Sequence, residues 1–321
     1  MTTNAGCNLA ARDHAPTSLL MATTSSDAAL KAVVAIQGTG VRHAILHGEG
    51  DLVRGDVNSD VDIVADRSVH EVVRAVAEQW QVLGLYPVIV WPYDIGGTGS
   101  IFLTTLDAGV GVQLDILHDP EAQGRYGVRS DRLLSVAHAG DEFTTVAPAQ
   151  TAAYLLAKRI SKGQSAEARR LVELIPPAEI DLDVLRPDVA NVVRSFMRDG
   201  SSNMGWRRKP SPSRLIARLR NPVGAWVELS ADHSEDVAAE MISRFALFLP
   251  HAVLIPAPHL GTWVASVAPT RWRAGIVASH GPRRGITPAP DVSILDQVSV
   301  DEACRRTVVA ISRRSTESVA T

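Results

Sequence analysis

The chain has 321 residues, a formal net charge of −3, 45% apolar residues and two cysteines. That balance argues against bulk electrostatic attraction to nucleic acid or an acidic membrane surface, and no apolar run approaches the length of a membrane span. Cys7 and Cys304 lie far apart without metal-type neighbours, which gives no disulfide framework and fits a reducing, cytoplasmic setting.

Length alone favours about two domains. No basic start followed by a long apolar core opens the chain, so no secretory signal is expected. Residues 1–25, rich in Thr, Ala, Ser and Asn, read as a disordered leader. The first predicted helix covers Asp27 to Gln37, with Ser26 as N-cap and Gly38 and Gly40 as stops. A short strand at Ala44 to Leu46 leads into a turn at Gly48 to Gly50, and Val61 to Ala65 forms the next strand. Ser68-Val69-His70-Glu71 has the pattern of a capping box, opening a helix to about Leu83. Strands are expected at Leu85 to Trp91, Ser100 to Leu106 and Val110 to Leu117. A glycine-rich turn, Asp94 to Gly99, follows the first of these, and Asp107-Ala108-Gly109 closes a hairpin between the other two.

Beyond Pro148 the period changes to that of helices, at Gln150 to Ile160, Ser165 to Ile175 and Pro187 to Met197. A Gly/Ser/Pro/Asn-rich linker with Arg207-Arg208-Lys209 follows, then a short basic helix at Ser213 to Leu219. The α/β pattern returns with a strand at Gly224 to Leu229, a helix at Glu235 to Phe248 and a strand at Ala252 to Ile255. Further strands are expected around Val264, Gly275 to Ala278 and Val292 to Leu295. A helix from the Ser299-Val300-Asp301-Glu302 box to about Arg313 ends the chain. The predicted fold class is α/β, with an α+β mixed sheet over 26–145, a helical segment over 146–199, a linker over 200–221 and a small α/β domain over 222–321.

Ser59-Asp60-Val61-Asp62-Ile63-Val64 carries the chemistry. On a strand, Asp60 and Asp62 point to one face, where two carboxylates repel unless a cation lies between them. Asp115 interrupts the apolar run Val112 to Leu117, as a buried or cleft-facing acid does. The pair begins its strand after the polar loop Gly55 to Ser59. Haloacid-dehalogenase-type phosphatases and many metal-dependent glycosyltransferases instead place such a pair at a strand's end.

The order Leu46-His47-Gly48, loop, Asp60-Val61-Asp62, and later Leu114-Asp115-Ile116 resembles the polymerase-β-like nucleotidyltransferase superfamily. The resemblance covers about residues 27–175. It implies a strand, a glycine turn, a short helix, an Asp-x-Asp strand and a third acid on a neighbouring strand. It also implies that Asp60 and Asp62 hold two Mg²⁺ ions (or Mn²⁺) and the triphosphate of an NTP such as ATP, with Asp115 joining one metal and acting as base. The partners implied are an NTP and a hydroxyl-bearing acceptor. Gly48, Glu49, Ser59, Arg54 and Lys158 are the expected nucleotide-binding positions. Glu49 departs from the superfamily pattern, which places Ser or Gly there; either its carboxylate points away or the triphosphate site is weakened.

The segments Leu114 to Asp119, Gly124 to Val128 and Ala153 to Arg159 are similar to bacterial nucleotidyltransferases joined to a thymidylate-kinase-like P-loop module. That resemblance places a phosphate loop at Leu229 to Asp236, but the glycines are absent and acids stand at the lysine position, so the C-terminal domain is expected to be degenerate and not to bind ATP. Two functions follow: a metal-dependent nucleotidyltransferase moving NMP to a hydroxyl of a small molecule, sugar or protein, or a catalytically weakened relative acting as a nucleotide-binding or regulatory module.

Overall fold

The computed structural model describes residues 22, 24–55, 60–93, 97–124, 126–140, 142–200, 223–230, 235–256, 261, 263–267, 269, 275–280 and 288–320. The architecture is mixed α/β, built on two sheets. The first contains β1 (His43–His47), β2 (Val61–Ala65), β3 (Tyr86–Pro92), β4 (Gly99–Thr104), β5 (Gly111–Leu117), β6 (His138–Ala139) and β7 (Thr144–Thr145), in the order β3-β4-β5-β2-β1-β7-β6. β2 runs parallel to β5 and antiparallel to β1, so the sheet is mixed. The second contains β8 (Ala225–Leu229), β9 (His251–Pro256), β10 (Gly275–His280) and β11 (Val292–Ile294), all parallel, in the order β11-β8-β10-β9.

The helices among the described residues are α1 (Ser25–Gln37), α2 (Glu49–Arg54), α3 (Val69–Val82), α4 (Ser130–Ser135), α5 (Pro148–Lys162), α6 (Ser165–Leu174), α7 (Pro187–Asp199), α8 (Glu235–Ala246) and α9 (Val300–Ala320). None is long and apolar enough to cross a membrane. Period-two alternation decides how they clothe the first sheet. Val61, Ile63 and Ala65 of β2, with Leu114 and Ile116 of β5, join one core with α1 and α3. Val64 and Leu117 face the other way, into a core with Leu133 of α4, Leu156 of α5 and Val193 of α7. Asp62 and Asp115 therefore project from the α5 side of a sheet that is covered on both faces.

A third core joins the two sheets. Val88, Ile89 and Phe102 of the first pack with Val227, Leu229, Phe245 and Val308 of the C-terminal region. Ser315 of α9 donates to the Val88 carbonyl at 2.9 Å. This packing explains why α9 continues past Arg313 to Ala320: Ile311, Ser312 and Ser315 are buried.

Several sequence expectations change. α1 is capped by Thr24, whose side chain accepts from Asp27 N, rather than by Ser26. The Gly48–Gly50 turn is the entry to α2: Gly48 adopts φ 98°, which favours glycine, and the next six residues are helical. α2, α4 and the two-residue strands β6 and β7 are too short to impose a readable period. The strand expected around Val264 is instead a π-helical turn, Trp263–Val267, that buries Val267 against Trp226 and leaves Val264 exposed. The capping box at Ser68 forms as expected, with Ser68 Oγ accepting from Glu71 N and Glu71 accepting from Ser68 N. The expected leader 1–21, Asp94 to Gly96, the linker residues 201–222 with the basic helix at Ser213 to Leu219, and residues 231–234 of the expected phosphate loop lie outside the described residues.

Candidate metal centre

The parallel register of β2 and β5 sets Asp62 opposite Asp115, and the antiparallel register of β4 sets Ser100 beside Asp115. Asp60 precedes β2. Carboxylate oxygens of Asp60, Asp62 and Asp115 lie within 4.8 Å of one another, a set that could hold a metal ion. Asp62 is 4% and Asp115 8% exposed, so neither is a solvated strand-end residue.

α5 supplies the opposing charge. It opens with Pro148 at its first turn and ends at Gly163, φ 76°, with Arg159 and Lys162 in its last turn, where cations complement the helix dipole. Tyr154, Lys158 and Lys162 recur every fourth residue on one stripe. Lys158 Nζ donates to Asp62 Oδ1 at 2.5 Å and Oδ2 at 2.7 Å, and lies 3.5 Å from Asp60 and 3.8 Å from Asp115. Tyr154 OH donates to Asp62 Oδ1 at 3.0 Å.

A second group of donors fixes Asp115. Ser100 Oγ at 2.5 Å, Gln113 Nε2 at 2.8 Å and Tyr93 OH at 3.2 Å all donate to Oδ1, while Oδ2 faces Lys158. One oxygen is thereby held by the protein and the other is presented to the centre of the acidic group. Because such outer partners orient a metal ligand, Ser100→Ala is expected to weaken Mn²⁺ binding about tenfold with the fold intact, as measured by calorimetry and circular dichroism.

Charge and burial act in opposition here. Burial, then the charges of Asp62 and Asp60, push the Asp115 carboxyl up to about 6. Burial also works to raise Asp60, but Lys158 and hydrogen bonding with Asp115 bring it below the usual carboxylate range. Lys158 is held above its ordinary value: burial opposes its charge, yet Asp62, Asp115 and Asp60 together outweigh burial. Lys162 is lowered, by partial burial and by the nearby Lys158 charge. Burial and adjacent carboxylates raise both Tyr93 and Tyr154, keeping them as neutral donors.

A cleft of about 240 Å³ opens over the acids, lined by His47, Asp60, Asp62, Leu155, Lys158, Arg159, Lys162 and Gln164. Of the residues expected from sequence, Asp60, Asp62, Asp115 and Lys158 come together. Gly48 and Glu49 lie in an adjoining crevice with Thr145 and Pro148, and the Glu49 carboxylate rests against Gly140 in the β6–β7 turn. Arg54 is turned along α2 to pair with Asp51 at 2.5 Å, with its side chain 63% exposed, and does not join the acids. Ser59 lies outside the described residues. The roles of Tyr93, Ser100, Gln113 and Tyr154 were missed from sequence. The spacing of Tyr154, Lys158 and Lys162 was the available signal; for Ser100 and Gln113 nothing short of strand register shows it. The sequence matches no family model and no curated protein.

Proposed function

We propose that this chain is a divalent-cation-dependent nucleotidyltransferase of the polymerase-β-like kind, moving NMP from an NTP to a hydroxyl of a small molecule, sugar or protein. One observation carries the reading: Asp62 and Asp115, paired across two adjacent parallel strands, converge with Asp60, which precedes the first of them, beside a cleft with Lys158, Arg159 and Lys162 in its wall. Hard carboxylate oxygens suit Mg²⁺ or Mn²⁺. The fit is supported by the fact that a cation, the Lys158 ammonium, already sits among them.

A divalent ion held by Asp60, Asp62 and Asp115 would supply charge neutralisation to a polyphosphate and make an acceptor hydroxyl easier to ionise. Arg159 and Lys162, with Lys158, offer the cleft positive charge for the phosphate chain. Asp115 Oδ2 is the atom that would take the acceptor proton as the hydroxyl oxygen bonds to the α-phosphorus and pyrophosphate leaves. In the metal-free protein, burial and the charges of Asp62 and Asp60 make Asp115 a stronger base than an ordinary aspartate. Glu49, turned to Gly140, leaves the cleft to the cations. The C-terminal domain packs on β3 through α9, which supports a role as a companion module rather than as a part of the acidic centre.

The test is incubation with each α-labelled NTP, Mg²⁺ and cell extract. Label is expected in an acceptor; absence of both transfer and NTP binding overturns the reading. A second reading, a nucleotide-binding or regulatory module without catalysis, is favoured by the Lys158 contacts to both oxygens of Asp62. It predicts NTP binding without transfer.

A further inference from the structure

Lys158 does more than line the cleft. Its ammonium approaches all three acids and is bidentate to Asp62, so it stands where a divalent ion shared by these carboxylates has to go. α5 cannot move aside to make room, because Ala152, Ala153, Leu156, Ala157 and Ile160 anchor it in the core. The lysine side chain, by contrast, is long and flexible, and the cleft beside it is open. A divalent ion at the point the ammonium now holds would meet it at contact distance, where like charges repel strongly.

We propose that Lys158 is an exchangeable occupant of the cation site, displaced into the cleft when a divalent ion binds. The displaced ammonium then joins Arg159 and Lys162 on the side where an anionic phosphate chain would lie. Metal entry and phosphate binding become coupled through one side chain: the ion releases a positive charge that the anion uses, and an anion holding Lys158 in the cleft leaves the acids open to the ion. By linkage each ligand raises affinity for the other. The metal-free protein also avoids three mutually repelling carboxylates, two of them buried. This inference rests on the proposed metal-binding role of the acids and adds to it a device that keeps the metal affinity low until an anionic ligand arrives.

The experiment is Mn²⁺ titration of the full chain, followed by electron paramagnetic resonance and calorimetry without nucleotide. Lys158→Met removes the competing charge and keeps the stem volume; it is expected to tighten Mn²⁺ binding about tenfold or more. Lys158→Gln, which can still donate a hydrogen bond to Asp62 and guards against misfolding of the first variant, is expected to shift in the same direction. Lys158→Arg, which keeps the charge, is expected to bind Mn²⁺ no tighter than wild type. Should wild type bind Mn²⁺ while neither neutral variant binds it more tightly, the exchange is overturned and the metal reading stands. Should none of these proteins bind Mn²⁺, both are overturned.

Discussion

Asp62→Ala is expected to eliminate Mn²⁺ binding and nucleotidyl transfer, and to lower stability by about 3 kcal/mol. Asp62 is the acid most deeply engaged: both its oxygens accept from Lys158, and Oδ1 also accepts from Tyr154. Removing one partner of a buried ion pair leaves the other charge uncompensated, at a cost of roughly 3–5 kcal/mol. The lower end applies because Lys158 keeps Asp60 at 3.5 Å and Asp115 at 3.8 Å. Asp62→Asn retains an acceptor for Tyr154 and is expected to be less destabilised, yet equally unable to bind metal. Chemical denaturation and calorimetry separate the two effects. An Asp62→Ala protein that kept wild-type stability would show that the Lys158 pair is not formed. Retained Mn²⁺ binding would show that Asp62 is not a ligand.

Asp115→Asn is expected to do the opposite to stability while also abolishing function. Burial and the other acids raise the Asp115 pKa from 3.8 to about 6, so the folded protein holds this proton more tightly than the unfolded chain does. A raised pKa favours the folded state below pH 3.8, and that contribution is lost as pH rises through about 6. Above that range the charged carboxylate works against folding. Asparagine cannot ionise and can still accept from Ser100 and Gln113. In EDTA at pH 7.5, Asp115→Asn is therefore expected to be more stable than wild type by about 1–3 kcal/mol, a gap that closes as pH falls toward 4. A variant less stable at pH 7.5, or a difference that does not change with pH, would sink this account. Two acids that face each other across one pair of strands thus differ in sign: the lysine compensates the first and only partly reaches the second.

The opposite behaviour of these aspartates marks the limit of what was legible in the chain. That Asp60 and Asp62 share a face follows from strand geometry alone, and an acid inside the Val112 to Leu117 run could be flagged as buried. The strands that carry them were readable because each is a short apolar run bounded by turn residues. Lys158 was a candidate phosphate contact, yet its direct partner is Asp62, a residue 96 positions away. Arg54 was expected over the same site because it lies in the adjoining loop; once that loop coils into α2, Asp51 is one turn away and captures it. Glu49 was a conflict as long as its direction was open, and α2 turns it to Gly140.

Local sequence was enough for the α/β pattern, for Asp60 and Asp62 on one face, and for the capping box at Ser68. These depend on residues a few positions apart, where the periods of helix and strand fix the geometry. It took the packed fold to set Asp115 opposite Asp62, to hold one oxygen of Asp115 with Ser100, Gln113 and Tyr93, and to bring Lys158 into the acidic centre. Those relations depend on sheet order and register, and on which helix covers which face. They are set by the burial of side chains far apart in the chain, a global condition that no local window records.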